Sequence, residues 1–248
     1  MRPEIRKLLR EGQQGRPFVI MEEHLLGLPE PIRRYLQWAG VVGKEAIRTV
    51  RLKQKGFLRM KEGQKWLPLT AEQYFTTSPP GFVWHARVRP LPFLNISVTD
   101  RFVNSHGRLQ AKLSSLISMA DAKGPEVDQG ELLRYLAEMI WFPTAWLSQY
   151  IEWKEIDEHS AQTILRHASL TVAAMLHFDE RGQVVQITAE RYREEDGKFI
   201  LRPWSGQVED YREVGGMMIP MKAEVSWHLE SGDFTCFRAE ITEIEYNL

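Results

Sequence analysis

Along the 248 residues the spacing of hydrophobic and polar positions changes three times. Over the first forty the apolar residues recur at helical spacing. EIRKLLR offers a turn or two, and LPEPIRRYLQWAG sets Ile32, Tyr35, Leu36 and Ala39 on one face. Pro31 stands where a first helical turn tolerates proline, and Gly40 is a stop. From Ile47 the period falls to two. Val50 and Leu52 alternate with Arg51, Lys53 and Lys55, the pattern of a strand with one wet face. The turn signals KEGQ, SPPG and NSHG separate further runs through Leu67, Leu69, Ala71 and Phe75, through Phe82, Trp84, Ala86 and Val88, and through Leu94, Ile96, Val98 and Phe102. RLQAKLSSLISM reads as one more strand. Helical spacing then returns in DQGELLRYLAEMIWFPTAWL, residues 128–147. Beyond it, period two resumes and holds to the end, most cleanly in ASLTVAAMLHF and GGMMIPMKAEVSWHL.

The pattern predicts a mainly β (α+β) chain of about ten strands at hairpin spacing. They would form a single large curved antiparallel sheet or incomplete barrel over 44–248, with an inserted helix over 130–142 plugging the concave face. Short N-terminal helices over 1–43 would cap one edge or end. With no repeat, low-complexity stretch or linker, 1–248 is expected to be a single domain.

Locally, the inserted helix has Asp128 and Glu131 at capping-box spacing. Leu132, Leu136, Met139 and Ile140 share a stripe, edged by Leu133 and Tyr135. Arg134 and Glu138 stand at i,i+4, near enough to pair. The expectation is an amphipathic helix seated on a sheet with that pair in water. Turned inward beside Arg191, the same two residues would be candidates for function.

The large aromatics Trp84, Trp141, Phe142, Trp146, Trp153, Trp204, Tyr211 and Trp227 fall in strands or in the helix and its exit. Core filling is the default for each. Together they suit a wide concave sheet, part of which either is plugged by the helix or stays open as an apolar pocket. The candidate ligand-binding residues are Trp84, Tyr135, Trp141, Trp146, Tyr211 and Trp227 as wall or gate. Arg191 would orient a polar head, because Val185, Ile187 and Ala189 precede it on one face. A buried arginine needs a partner, and Glu138, Glu72, Glu190, Asp210 or a ligand carboxylate are the options.

Composition narrows the rest. Thirty-two Lys and Arg balance 33 Asp and Glu, a formal charge of -1 that argues against a general nucleic-acid binder. Cys236 is the single cysteine, so no intramolecular disulfide forms, and no Cys/His spacing resembles a zinc site. No metal and no cofactor is expected. The first residues carry charges throughout with no signal-peptide core, and no run approaches the roughly 18 apolar residues of a spanning helix. A cytoplasmic protein without stable membrane insertion is the expectation. His85, His177 and His228 alternate with apolar positions on strands, which places them on wet faces or in local hydrogen bonds, or makes one a general base.

The runs LPEPIRRYLQWAG, PPGFVWHARV, GPEVDQGELLRYLAEMIWFPTAW, AERYREEDG and VGGMMIPMKAEVSW resemble a bacterial family of uncharacterised function. More remotely, the strand-rich plan with one interrupting helix, a strand through Tyr211, then GGMMIP and two closing strands, is similar to the lipoprotein-carrier (LolA/LolB-like) superfamily. That resemblance implies a curved, incomplete barrel closed by helices and holding acyl chains. The N-terminus departs from it, with neither export signal nor lipidation cysteine. The expected function is non-enzymatic binding of a lipid or other hydrophobic small molecule. The alternatives are an enzyme using Glu138, Arg134, Arg191 and a strand histidine in the same cavity, and a protein–protein interaction module.

Overall fold

The computed structural model describes residues 2–14, 16–91, 93–113 and 117–248. Its centre is one antiparallel sheet of thirteen strands: β1 (Thr49–Leu58), β2 (Leu67–Thr77), β3 (Pro80–Leu91), β4 (Leu94–Val103), β5 (His106–Leu113), β6 (Ile117–Ala122), β7 (Ile151–Asp157), β8 (Ser160–His167), β9 (Leu170–Phe178), β10 (Val184–Glu195), β11 (Lys198–Val214), β12 (Met217–Leu229) and β13 (Gly232–Tyr246). The spatial order is β6-β5-β4-β3-β2-β1-β13-β12-β11-β10-β9-β8-β7. Two meanders, one before the inserted helix and one after it, are therefore stitched together where β1 pairs with β13. The sheet curls into a half-barrel, as its hydrophobic alternation implied.

Thirteen strands replace the expected ten or so, in part because one expected strand turns without a strong signal. RLQAKLSSLISM is a hairpin, β5 and β6, with Leu109 opposite Ala122. Residues 114–116 between them lie outside the described residues, as does Pro92 in the strand expected from PLPFLNISVTDRFV. WKEIDEHSAQTILRH, which reads as one strand, a turn and part of another, forms two full strands, β7 and β8.

Helix α1 (Pro3–Gly12) packs Ile5, Leu8 and Leu9 against Tyr74 and Val83 on the convex side. Helix α2 (Glu30–Trp38) closes one end of the curl, where Tyr35 stacks on Trp146 with ring centroids 4.7 Å apart. Helix α3 (Pro125–Glu138) lies in the concave face, and two 3-10 turns, Met139–Trp141 and Pro143–Leu147, continue it. It starts five residues earlier than expected, because Pro125 is a first-turn proline and opens the helix. Asp128 is not the cap; its carboxylate accepts the Gly107 N–H at 2.7 Å. A side chain at Gly107 would place its Cβ 2.6 Å from the Val127 carbonyl, so glycine lets α3 approach β5.

No helix among the described residues is long and apolar enough to cross a membrane. All hairpins joining β1–β2, β3–β4, β8–β9, β10–β11 and β12–β13 turn at one end of the sheet, because the strands alternate direction. That end is called the mouth below. Helices α2 and α3 occupy the other.

Candidate functional site

Residues paired across strands share a face, so register defines the concave lining. One row runs Phe102, Phe82, Phe75 and Val50; the next runs Asp100, Trp84, Gln73 and Leu52. Toward the mouth follow Val98, Ala86, Ala71 and Gln54, then Ile96, Val88, Leu69 and Gly56. On the second meander the lining includes Ile187, Ala189, Arg191, Trp204, Val225, Trp227 and Phe237.

Over the helix end, α3 fills the concavity. Leu132, Leu133, Tyr135 and Leu136 are buried, each leucine contributing about 1.5–3 kcal/mol. The enclosed void that remains, among Leu136, Met139, Trp146, Trp153 and Leu176, measures about 10 Å³. That is about one water molecule, far below the several hundred Å³ of a ligand pocket. Tyr135 donates to the Thr76 carbonyl at 2.9 Å, and its burial pushes the phenol well up from its ordinary value. Trp141 is buried, and its carbonyl accepts from Tyr246 at 2.7 Å. Trp146 lies between Tyr35 and Trp153. Tyr211 donates to the Val184 carbonyl at 2.9 Å and meets Trp38 edge-on at 5.0 Å. These four expected wall or gate residues sit within the packed end.

Arg134 and Glu138 are not in water. Glu131, Arg134 and Glu138 recur at three- and four-residue steps, so they form a charged stripe on α3, and that stripe faces the sheet. The Arg134 guanidinium binds Asp100 of β4 and, through Nε, Glu138 at 2.9 Å. It lies 5.1 and 5.0 Å from the Phe82 and Trp84 rings, in cation–π range. Glu138 also accepts from Gln73 at 2.7 Å, and Trp84 Nε1 donates to Gln54 at 3.0 Å. Helix α3 is thus buried on both faces, with charge on one and hydrocarbon on the other.

Arg191 does face inward, but a bulge at Val184–Gln186 turns Val185 outward, so the alternation runs inward only from Ile187. Its ionic neighbour is Glu131 at 3.6 Å. Glu72 pairs with Arg51, Asp210 with Arg212 and Glu138 with Arg134, while Glu190 is exposed. Burial raises the Glu131 carboxyl well above the ordinary carboxylate range, and the adjacent Asp100 adds to the rise. Burial likewise raises Glu138, opposed by Arg134. Burial alone would lower Arg134, but Glu138, Asp100 and Glu131 outweigh it and hold the guanidinium charged.

Toward the mouth the lining changes character. Ile96, Val98, Ala223, Val225, Trp227 and Phe237 pack on the core but stay partly exposed. Arg191 lies 5.7 and 6.0 Å from the Trp204 and Trp227 rings, and Arg193 lies 5.8 and 5.6 Å from Trp227 and Phe234. Of the residues expected at a site, the structure thus gathers Trp84, Arg134, Glu138, Arg191 and Trp227 in the concave face. Asp100, Glu131, Arg193 and Phe234 join them unforeseen. Asp100 and Arg193 were findable by period two, since each follows inward residues two and four positions back.

The histidines do not converge on these carboxylates. His85 alternates with Trp84 and Ala86 on the convex side, where it meets Thr99 at 2.9 Å. His177 contacts Thr188 at 3.0 Å, and His228 contacts Asp233 at 2.7 Å and Ser205 at 2.8 Å, again on the convex side. The constellation of Glu138, Arg134, Arg191 and a strand histidine is not assembled.

Fold and lining define a class: a curled β half-barrel whose concavity is filled by its own helix at one end and lined by arginine and aromatic rings at the other. Residues 18–239 match the model of a family of unknown function, DUF6544, and the chain belongs to that family. A search of curated proteins returns no match. Similar solved structures include a domain described as an outer membrane lipoprotein-sorting protein from Vibrio parahaemolyticus, with 7% identity, 98% of this chain and 93% of that chain covered, and a TM-score of 0.43. A LolA superfamily protein from Nitrosomonas europaea has 8% identity, coverage of 88% and 92%, and a TM-score of 0.39. A β-barrel-like protein of the domain of unknown function DUF1849 from Brucella abortus has 12% identity, coverage of 82% and 100%, and a TM-score of 0.27.

Proposed function

We propose that the protein binds a lipid or other hydrophobic small molecule, without chemistry, on the mouth half of its concave face. The observation that carries this reading is the contrast in burial along the lining. Ile96, Val98, Val225, Trp227 and Phe237 face inward on a concave surface yet remain partly exposed, where α3 does not reach. Concave apolar lining with a few polar groups is what small-molecule sites use. Hairpin tips at the same end carry exposed Met60, Leu91 and Phe93, and Ile200 opposite Arg193 is exposed on the inward face; these would extend the apolar path outward. Trp84 and Trp227 form the wall in this reading, and Arg191 meets the polar end of the ligand.

Native mass spectrometry of the purified protein, with organic extraction of whatever it carries, tests the proposal. A co-purifying amphiphile, or saturable binding of an apolar fluorescent probe weakened by Val225→Asp, is the expected result. Neither retained lipid nor probe binding would overturn it.

A further inference from the structure

The mouth half holds more positive charge than its carboxylates match. Arg191 and Arg193 alternate on one face of β10, about 7 Å apart at strand spacing. Arg191 makes no hydrogen bond among the described residues, and its buried Nε has no acceptor. Glu131, its ionic neighbour, stands at 3.6 Å, beyond hydrogen-bond reach, and burial beside Asp100 favours its neutral form. The Trp204 indole N–H next to Arg191 is also buried without an acceptor. Arg193 reaches Glu195 at only 3.4 Å, and Arg202 already holds that carboxylate at 2.8 and 3.1 Å. Buried donors without acceptors cost desolvation, and they also occur at Arg34, Tyr35, Arg48 and Trp141; Arg191 and Trp204 differ in standing together beside the partly exposed Arg193 and Trp227.

We infer that Arg191 and Arg193, with the Trp204 indole N–H, form an oxyanion site that takes the carboxylate or phosphate monoester head of the ligand. The inference rests on the apolar-ligand reading for the tail and adds the chemistry of the head. Guanidiniums suit it because they present N–H forks to planar or tetrahedral oxyanions, and the flanking rings keep water away. Trp227 lies between the two guanidiniums, within 6.0 Å of each, and holds both side chains against the lining. A neutral amphiphile would leave these donors as they stand; an anionic one supplies the missing acceptor.

Tryptophan fluorescence titrations of the full chain, below micelle concentrations, discriminate the cases with four probes: dodecanoate, dodecyl phosphate, dodecanol and inorganic phosphate. Dodecanoate and dodecyl phosphate are expected to bind at least tenfold more tightly than dodecanol, with inorganic phosphate alone silent. Arg193→Gln, at a partly exposed position that leaves the core intact, should shrink that preference to under threefold and spare dodecanol. Arg191→Gln, checked for folding by circular dichroism, should do the same. Equal binding of dodecanol and dodecanoate, or equal weakening of all amphiphiles by both variants, overturns the oxyanion site and leaves the apolar reading standing. Arginine-dependent binding of inorganic phosphate with no amphiphile bound keeps the anion site and removes the tail. No binding by any probe removes both.

Discussion

The two halves of the concave face are made from the same strands yet solve opposite problems. At the helix end the concavity is filled: α3 supplies leucines to the sheet and Arg134 answers Asp100 and Glu138, although one oxygen each of Gln73, Asp100 and Glu131 and the Trp141 indole N–H stay without a hydrogen-bond partner. At the mouth end Arg191 and Arg193 lie among Trp204, Trp227 and Phe234 with no full complement of acceptors. The difference shows where burial has been used for stability and where it has been withheld. A charged cluster inside a protein is therefore not by itself a site. Unmatched donors beside a lining that stays partly exposed are what separate a receptive cluster from a structural network.

The sharpest way to break this comparison is to remove one member of the closed network. Arg134→Met leaves two buried carboxylates without their cation and should cost about 3–5 kcal/mol in urea unfolding. A loss below about 1 kcal/mol would mean that the network is solvated and the halves are alike. Packing should give the next largest contrast. Met139→Ala beside the 10 Å³ void should cost about 2–5 kcal/mol, whereas Val225→Ala at the mouth should cost about 1 kcal/mol or less.

A smaller, pH-dependent effect distinguishes Glu131. Its carboxyl is raised in the folded state above the ordinary value. The native protein therefore keeps a proton that the unfolded chain releases, and the stability it contributes is complete below about pH 4.5. That contribution is lost as pH rises from there through the raised value. Thermal melts of the natural protein and Glu131→Gln between pH 5 and pH 8 should diverge, with the variant gaining relative stability as pH increases. Parallel curves would place Glu131 in solvent. The smallest expected effect lies outside both halves. Arg166 and Glu152 pair at 2.9 Å on exposed strands, and Arg166→Gln should change stability by under about 1 kcal/mol.

Much of the architecture was legible because period two is a local property. Val50, Leu52, Phe82, Trp84 and Ile187 announce the concave face within a few residues. The β5–β6 pairing is hidden in the sequence because RLQAKLSSLISM holds no glycine, proline or asparagine to mark a break. The start of α3 was hidden because Gly124 and Pro125 look like a loop until proline is counted as a first-turn residue. The burial of the Glu131–Arg134–Glu138 stripe was harder to see. Charges at helical spacing read as a wet face unless partners are known, and those partners, Gln73, Asp100 and Arg191, come from strands 34 to 65 residues away. Arg191 could be turned inward from alternation alone, but its unmet donors become visible only once β11 and β12 bring Trp204 and Trp227 beside it.

Hydrogen–deuterium exchange with and without dodecanoate tests the division of the concave face most directly. Bound ligand should slow exchange in residues 189–193, 225–228 and 234–237 while leaving 132–146 unchanged. Slowed or accelerated exchange confined to 132–146, with no change in the mouth strands, would place the ligand beneath α3 and contradict the account.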